Sequence, residues 1–316
     1  MRLRSFAFVL GTVGALALAC GGTDESKFQD GSSGGSSGAS GSSSGSSGFG
    51  SSGSSGASSS GSSGGGDGGP EVCDGVDNDG NGIIDDVDVG NDGVCDCLRV
   101  ATLGAPGKWG QGDVFKAWLD SRSVKGAVSL GAQVLDKALL DQYQVIVAQD
   151  LSTVGRAYSD AEVAALKAWV EAGGGFLTLI GYGDPAERTN VNTLLAPFGT
   201  SYAAEQILQK PNGGSTVPIT GWTPHPVTQG VNRVGVDNGY EVTGNGTPLA
   251  TEQGKTMLKA QQVGRGHVLV WGDEWITYNS EWSQHPDYQV TLFWLNMIKW
   301  LTPEKECQVA IPPSVK

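Results

Sequence analysis

Basic side chains are scarce in this sequence: 20 Lys and Arg stand against 33 Asp and Glu, a net charge of −13. Binding a phosphate backbone requires a positive footprint, so no nucleic-acid partner is expected. Histidine occurs only three times, and the five cysteines show no zinc-site spacing, which disfavours a soft-metal centre. Beyond residue 19 no apolar run is long enough to span a bilayer. Large apolar side chains also vanish between residues 31 and 69, where the chain is almost wholly Ser and Gly and Phe49 is the one exception. Such a stretch has too little apolar surface to offset the entropy of ordering. It reads as a flexible tether, with an end-to-end distance of roughly 35 Å by random-coil scaling.

The first residues do have a pattern. Arg2 and Arg4 precede an apolar run over residues 6–19, the layout of an export signal. Ala17-Leu18-Ala19 fits an ordinary small-x-small cleavage site, while Leu16-Ala17-Leu18-Ala19-Cys20 resembles a bacterial lipobox with Ala17 where Leu is commoner. The second reading is preferred, because it accounts for a Cys at the start of a disordered run. It implies acylation of Cys20 and anchoring in membrane lipid, since two acyl chains hold a protein stably. Gly21 is not acidic, and by the lipoprotein sorting rule the resemblance then implies the outer membrane.

Residues 71–97 concentrate the charge: Glu71, Asp74, Asp77, Asp79, Asp85, Asp86, Asp88, Asp92 and Asp96 give nine acids with no base among them. A local acidic cluster points to a cation. Counting Asp77 as position 1 places Asp79 at 3, Asn81 at 5, Gly82 at 6, Ile83 at 7, Asp85 at 9 and Asp88 at 12. That is the register of a calcium loop, in which Gly82 supplies the sharp turn and Ile83 a backbone carbonyl. The expected metal ligands are therefore Asp77, Asp79, Asn81, Ile83, Asp85 and Asp88, and the expected cofactor is structural calcium. Asp88 replaces the usual Glu, and no amphipathic helix flanks the loop, so a sensor role is not expected. The stretch resembles the "CDGxDNDxNGxxDD" metal-binding motif of secreted bacterial surface proteins, and is similar to the loops of dockerins and thrombospondin repeats.

With Cys20 assigned to lipid, four cysteines remain in an exported chain, which suggests two disulfides. Cys95 and Cys97 are too close to pair with each other. The favoured pairing is Cys73–Cys95, closing the acidic loop, with Cys97–Cys307 joining the ends of the domain. The exchanged pairing, Cys73–Cys97 with Cys95–Cys307, stays open.

From residue 98 to 303 strands and helices alternate. Near-continuous apolar runs at residues 98–104, 143–150 and 175–184 are separated by helical spacing at residues 113–122 and 159–171. Ser159 and Glu162 form a capping box, and three glycines from Gly173 stop that helix. Strands joined by Gly turns follow between 248 and 275, then a last helix ending before Pro303. Buried strands between helices predict an α/β doubly wound, mostly parallel sheet with an antiparallel excursion. The chain thus divides into signal (1–19), tether (20–70), acidic motif (71–97), α/β domain (98–303) and tail (304–316). The segments "AEVAALKAWVEAGGGFLTLIGYGD", "HPVTQGV" and "GRGHVLVWGDEW" resemble the class I glutamine amidotransferase-like family, including trehalose-utilisation-type modules. The resemblance implies a flavodoxin-like fold.

Catalytic members of that family carry a nucleophilic Cys at the turn after the strand here at residues 176–180. This turn reads Gly181-Tyr182-Gly183-Asp184, with no Cys, Ser or Thr, and Glu274 has no His immediately before it. Thiolate chemistry is therefore not expected, and no catalytic residue is assigned. Ligands of open α/β sheets collect beyond the C-terminal strand ends. There the sequence places Asp150, Tyr182, Asp184, Asp273, Glu274 and Trp275, acids beside aromatics that suit a glycan or another envelope component. The expected role is a noncatalytic binding or display module. The alternatives are a glycan hydrolase using Asp184 and Glu274, or a purely structural envelope protein. His225 is expected in a turn, His267 at a strand start and His285 at a helix start.

Overall fold

The computed structural model describes residues 68–105, 111–121, 126–181 and 185–315. The expectations for the signal, Cys20 and the tether up to residue 67 lie outside them, as do Tyr182 and Asp184.

Within the described residues the strands are β1 (Val100–Gly104), β2 (Val128–Ser129), β3 (Val145–Gln149), β4 (Gly175–Leu179), β5 (Thr200–Ile207), β6 (Val217–Ile219), β7 (Gly221–Trp222), β8 (Val234–Val236), β9 (Gly239–Gly244), β10 (Thr247–Glu252), β11 (Lys255–Val263) and β12 (Gly266–Trp271). The helices are α1 (Asp113–Asp120), α2 (Lys137–Leu140), α3 (Asp160–Glu171), α4 (Pro185–Leu195), α5 (Asn279–Ser283) and α6 (Val290–Leu301). The main sheet runs β2-β1-β3-β4-β12-β11-β10-β7. Its first five strands are parallel, and β11, β10 and β7 extend it antiparallel. This is a flavodoxin-like order with β12 as the fifth parallel strand. The excursion adds two small antiparallel pairs, β5 with β9 and β6 with β8.

Strand alternation divides the core. Val145 and Val147 point to one face with Leu177, Leu179, Leu269 and Trp271, where Phe115 of α1 and Phe293, Trp294 and Met297 of α6 cover them. Ile146 and Ala148 point to the other with Phe176, Val268 and Val270, under Leu140, Leu166, Trp169 and Leu194 from α2, α3 and α4. Both faces are buried, which is why these strands read as unbroken apolar runs rather than alternating ones. The predicted capping box is present on α3: Ser159 accepts from the Glu162 amide and Glu162 accepts from the Ser159 amide. At the end of α3, Gly173 takes φ +127°, open only to glycine. His225 caps a short 3₁₀ turn, as expected, and His267 lies in β12. His285 does not start a helix; it follows α5, and α6 begins at Val290.

The disulfides are Cys73–Cys97 and Cys95–Cys307, so the favoured pairing is corrected to the exchanged one. The cause is the C-terminal segment, which docks beside the acidic motif: the Ile84 amide donates to Lys305 O at 2.9 Å and the Cys307 amide to Ile84 O at 2.9 Å. This delivers Cys307 to Cys95, both sulfurs lying against the carbonyl of buried Asp85, and leaves Cys97 facing Cys73.

Candidate functional site

Register fixes what stands on the C-terminal edge of the sheet. Gly104 pairs with Gln149, Ala148 with Thr178, and Trp271 with Leu179. The residues that follow each strand, Asp150, Gly181 and Asp273-Glu274-Trp275, therefore emerge on one rim. The expected crevice set is brought together as far as it is described.

Its carboxylates, however, face inward. Asp273 is fully buried, accepting from the Asp237 amide with Oδ2 and from the Trp275 amide with Oδ1, each at 2.6 Å. Burial is the main cause that pushes its pKa well above the carboxylate range, against those two amides, with Glu274 and Asp237 adding to the rise. Glu274 is 1% exposed and accepts from the Tyr278 hydroxyl at 2.7 Å. Its side chain packs against Gly181, where a Cβ would lie 2.3 Å from Glu274 Cγ. Burial, with the negative charge of Glu274 beside it, raises the Tyr278 pKa. Asp150 is buried in the left-handed region at φ +51° and accepts from Ser152 Oγ at 2.6 Å. A left-handed non-glycine residue at a strand end stores backbone strain. Gly104 is required beside it, because a Cβ there would meet Gln149 O at 2.0 Å.

Trp275 is the part of the expected set that reaches the surface, and it is covered by a residue that sequence reading missed. Lys210 Nζ sits 4.1 Å from the Trp275 ring centroid and 3.3 Å from Asp237 Oδ2. The Lys210 amide also donates to Asp237 Oδ1 at 2.9 Å. Close by, Glu281 is 1% exposed, with Oε1 3.4 Å from Thr216 Oγ1 and 3.7 Å from His285 Nε2. Gly235 makes room for it, since a Cβ there would lie 2.5 Å from Glu281 Oε2. Lys210, Asp237 and the segment from Tyr278 into α5 that carries Glu281 lie far apart in sequence; the Asp237-Asn238-Gly239 turn was the one local signal among them.

No histidine completes a nucleophile pair at the described strand ends. His225 and His267 both pack on Trp300, at ring separations of 5.2 and 4.0 Å. On the described rim Trp275 is partly exposed beside Lys210, whereas the acids are committed to internal hydrogen bonds.

The acidic motif forms a tight set of turns. Asp77 accepts from the amides of Gly80 and Gly82, Asp79 from Asn81, and Asn81 from Ile83. Gly75, Gly80 and Gly82 all take positive φ. Of the expected ligands, Asp79 joins a carboxylate cluster with Glu71 and Asp86, whose ligand atoms lie within 4.8 Å of one another. Two expected ligands turn elsewhere. Asp85 is buried and accepts from the Asp74 and Gly75 amides, and Asp88 accepts from the Asp92 and Gly93 amides. Glu71, which lies outside the numbered loop, also ties it together by accepting from the Asn78, Asp79 and Asp85 amides. The donors that gather are all hard carboxylate oxygens, the kind that suit a hard divalent cation.

No family model and no curated protein sequence matches the chain. Solved structures do. Cytoplasmic protein STM1381 from Salmonella typhimurium LT2 aligns at a TM-score of 0.50 and 15% identity, over 65% of this chain and 100% of that one. Cytoplasmic protein STM3548 from Salmonella typhimurium aligns at 0.45 and 16% identity, over 66% and 100%. A ThuA-like protein from Bacteroides uniformis ATCC 8492 aligns at 0.40 and 13% identity, over 65% and 91%. The likeness to STM1381 is one of fold: a mostly parallel α/β sheet extended by antiparallel strands.

Proposed function

We propose that this chain is an exported cell-envelope protein, anchored through acylated Cys20, whose amidotransferase-like domain is a noncatalytic binding or display module. One observation carries the reading of the domain. Where the amidotransferase-like elbow would present a nucleophile, Gly181 carries no side chain and Glu274 fills the space. The neighbouring Asp273 is spent on two backbone amides. Asp273 and Glu274 are committed to internal hydrogen bonds with the Asp237 and Trp275 amides and the Tyr278 hydroxyl. The partly exposed face of Trp275 remains as a platform for a glycan ring or a similar envelope component.

The two disulfides support export, because such bonds persist in oxidising compartments. For the acidic motif the proposal is a structural calcium site held by Asp79 with Glu71 and Asp86. Separations under 4.8 Å are what pairs of Ca–O bonds of about 2.4 Å can span. Affinity on the order of 0.1–1 mM is expected, as in extracellular modules. When bound, the ion offsets two of the three carboxylate charges and stiffens the link between the Ser/Gly segment and the sheet.

The deciding experiment pairs a glycan array with an assay for glycan cleavage on the same preparation. Binding without cleavage is the expected result. Cleavage abolished by Glu274→Gln would establish a hydrolase instead, and neither signal would leave a structural protein. Mass spectrometry of the mature N-terminus tests the anchor, with diacylglyceryl mass on Cys20 expected.

A further inference from the structure

The Trp275 platform is occupied by the chain's own ammonium group. Lys210 Nζ stands 4.1 Å from the ring centroid, within the range of a cation held over an aromatic face. The same nitrogen is 3.3 Å from Asp237 Oδ2, a carboxylate side chain only 5% exposed. Ring and carboxylate together make a two-point receptor for an ammonium group: the face takes the charge and its adjoining CH groups, the carboxylate takes an N–H. Asp273, whose Oδ2 accepts from the Asp237 amide, and Glu281 of α5 are both buried.

The lysine is not needed to hold its loop. The Lys210 backbone amide donates separately to Asp237 Oδ1 at 2.9 Å, and Thr216 farther along contacts Glu281. Residues 211–215 between these anchors are exposed. The backbone contacts fix the segment, while the side chain, 36% exposed, is free to leave the ring for water. A long side chain laid over an aromatic platform, beside a carboxylate already anchored by other bonds, is an internal competitor for that platform.

We infer that Trp275 and Asp237 form a binding site for a ligand bearing a primary ammonium group, and that Lys210 occupies this site as an autoinhibitory stand-in. The inference rests on reading the domain as a binding module and names the chemistry its ligand carries. An amino sugar satisfies both parts, with its ring face on Trp275 and its ammonium at Asp237.

The test is a ligand-observed NMR titration of the full mature protein and of Lys210→Ala with three probes: glucosamine, glucose and n-butylamine. An internal competitor that fills the site nine-tenths of the time weakens apparent affinity about tenfold. Lys210→Ala is therefore expected to bind both amines about tenfold more tightly than the wild type, with no gain for glucose. Adding Trp275→Ala or Asp237→Asn to Lys210→Ala should reverse the gain; thermal melting checks that each variant folds, and Asp237→Asn keeps the acceptor for the Lys210 amide. Equal amine affinity with and without Lys210 overturns the inference, as does a gain indifferent to Trp275. Equal gains for glucose and glucosamine would retain a sugar platform and reject the ammonium site. Absence of binding by every probe to every variant, together with a blank glycan array, rejects the binding module itself.

Discussion

Glu274 occupies the space that a side chain on Gly181 would need, with Cγ 2.3 Å from the position of a Cβ at that glycine. The two residues follow the adjacent parallel strands β4 and β12. Gly181→Ala is expected to destabilise the protein by about 1–3 kcal/mol, the usual cost of overpacking a filled core. Thermal unfolding measures it, with a fall of roughly 2–4 °C per kcal/mol for a domain of this size. An unchanged midpoint would mean that Glu274 is not seated there. Gly181→Cys should cost more still, and trimming Glu274 should relieve part of that cost.

Glu281 supplies a pH dependence. Burial pushes its pKa up from the ordinary 4.5 to about 7, against the lowering by Thr216 and Lys210, with Asp237 and Asp287 adding to the rise. His285 faces the same carboxyl. The folded state therefore binds a proton that the unfolded state releases near pH 4.5. Stability from this group is complete below that pH and is lost as pH climbs through about 7. Between pH 5 and pH 8 the loss amounts to about 2–3 kcal/mol. Urea unfolding of the wild type and Glu281→Gln at both pH values reads the difference: the variant should gain by that amount relative to the wild type at pH 8. Parallel pH profiles would show that Glu281 is ionised throughout.

For the acidic motif, calorimetric titration with Ca²⁺ separates two ligand sets. Asp86→Asn and Asp79→Asn are expected to weaken binding by about tenfold or more, since each removes a charged donor. Asp88→Asn should leave affinity nearly unchanged, because Asp88 lies outside the cluster of Glu71, Asp79 and Asp86. The opposite ranking would restore the register read from spacing alone. Equal heats with and without all three substitutions would retire calcium.

The disulfides predict a ranking of their own. Cys95–Cys307 closes 212 residues and Cys73–Cys97 closes 24. Chain entropy alone assigns about 5 and about 3 kcal/mol respectively. Cys307→Ser should thus lower the urea midpoint more than Cys73→Ser, and non-reducing peptide mapping should recover these two pairs.

How much of this was legible in the sequence follows from how local each signal is. β3 and β4 were readable because burial on two faces makes continuous apolar runs, and α3 because its capping box and glycine stop lie within its own residues. The β5–β9 and β6–β8 pairs were foreseen only as an antiparallel excursion, since each strand finds its partner across an intervening loop. Among site residues, spacing placed Asp150, Asp273, Glu274 and Trp275 on one rim, yet it could not show that three of them turn inward. Lys210 meets Trp275 across 65 positions of chain, a contact no periodicity encodes. The cysteines carried the sharpest ambiguity: Cys95 and Cys97 differ by two residues, and the docking of the C-terminal segment at Ile84, not loop length, decides between them.

The bond between Cys95 and Cys307 also sets a load path. Tension applied between the two ends of the chain enters at the acidic motif, crosses the Cys73–Cys97 link and then the Cys95–Cys307 link, and leaves through the last nine residues. The sheet and its helices hang from that link as a side loop and carry none of the pull. Stretched in an optical trap under oxidising conditions, the described part of the protein should yield only the slack outside its covalent rings. With the link reduced, the same tug would strip β1 and α6 from the core.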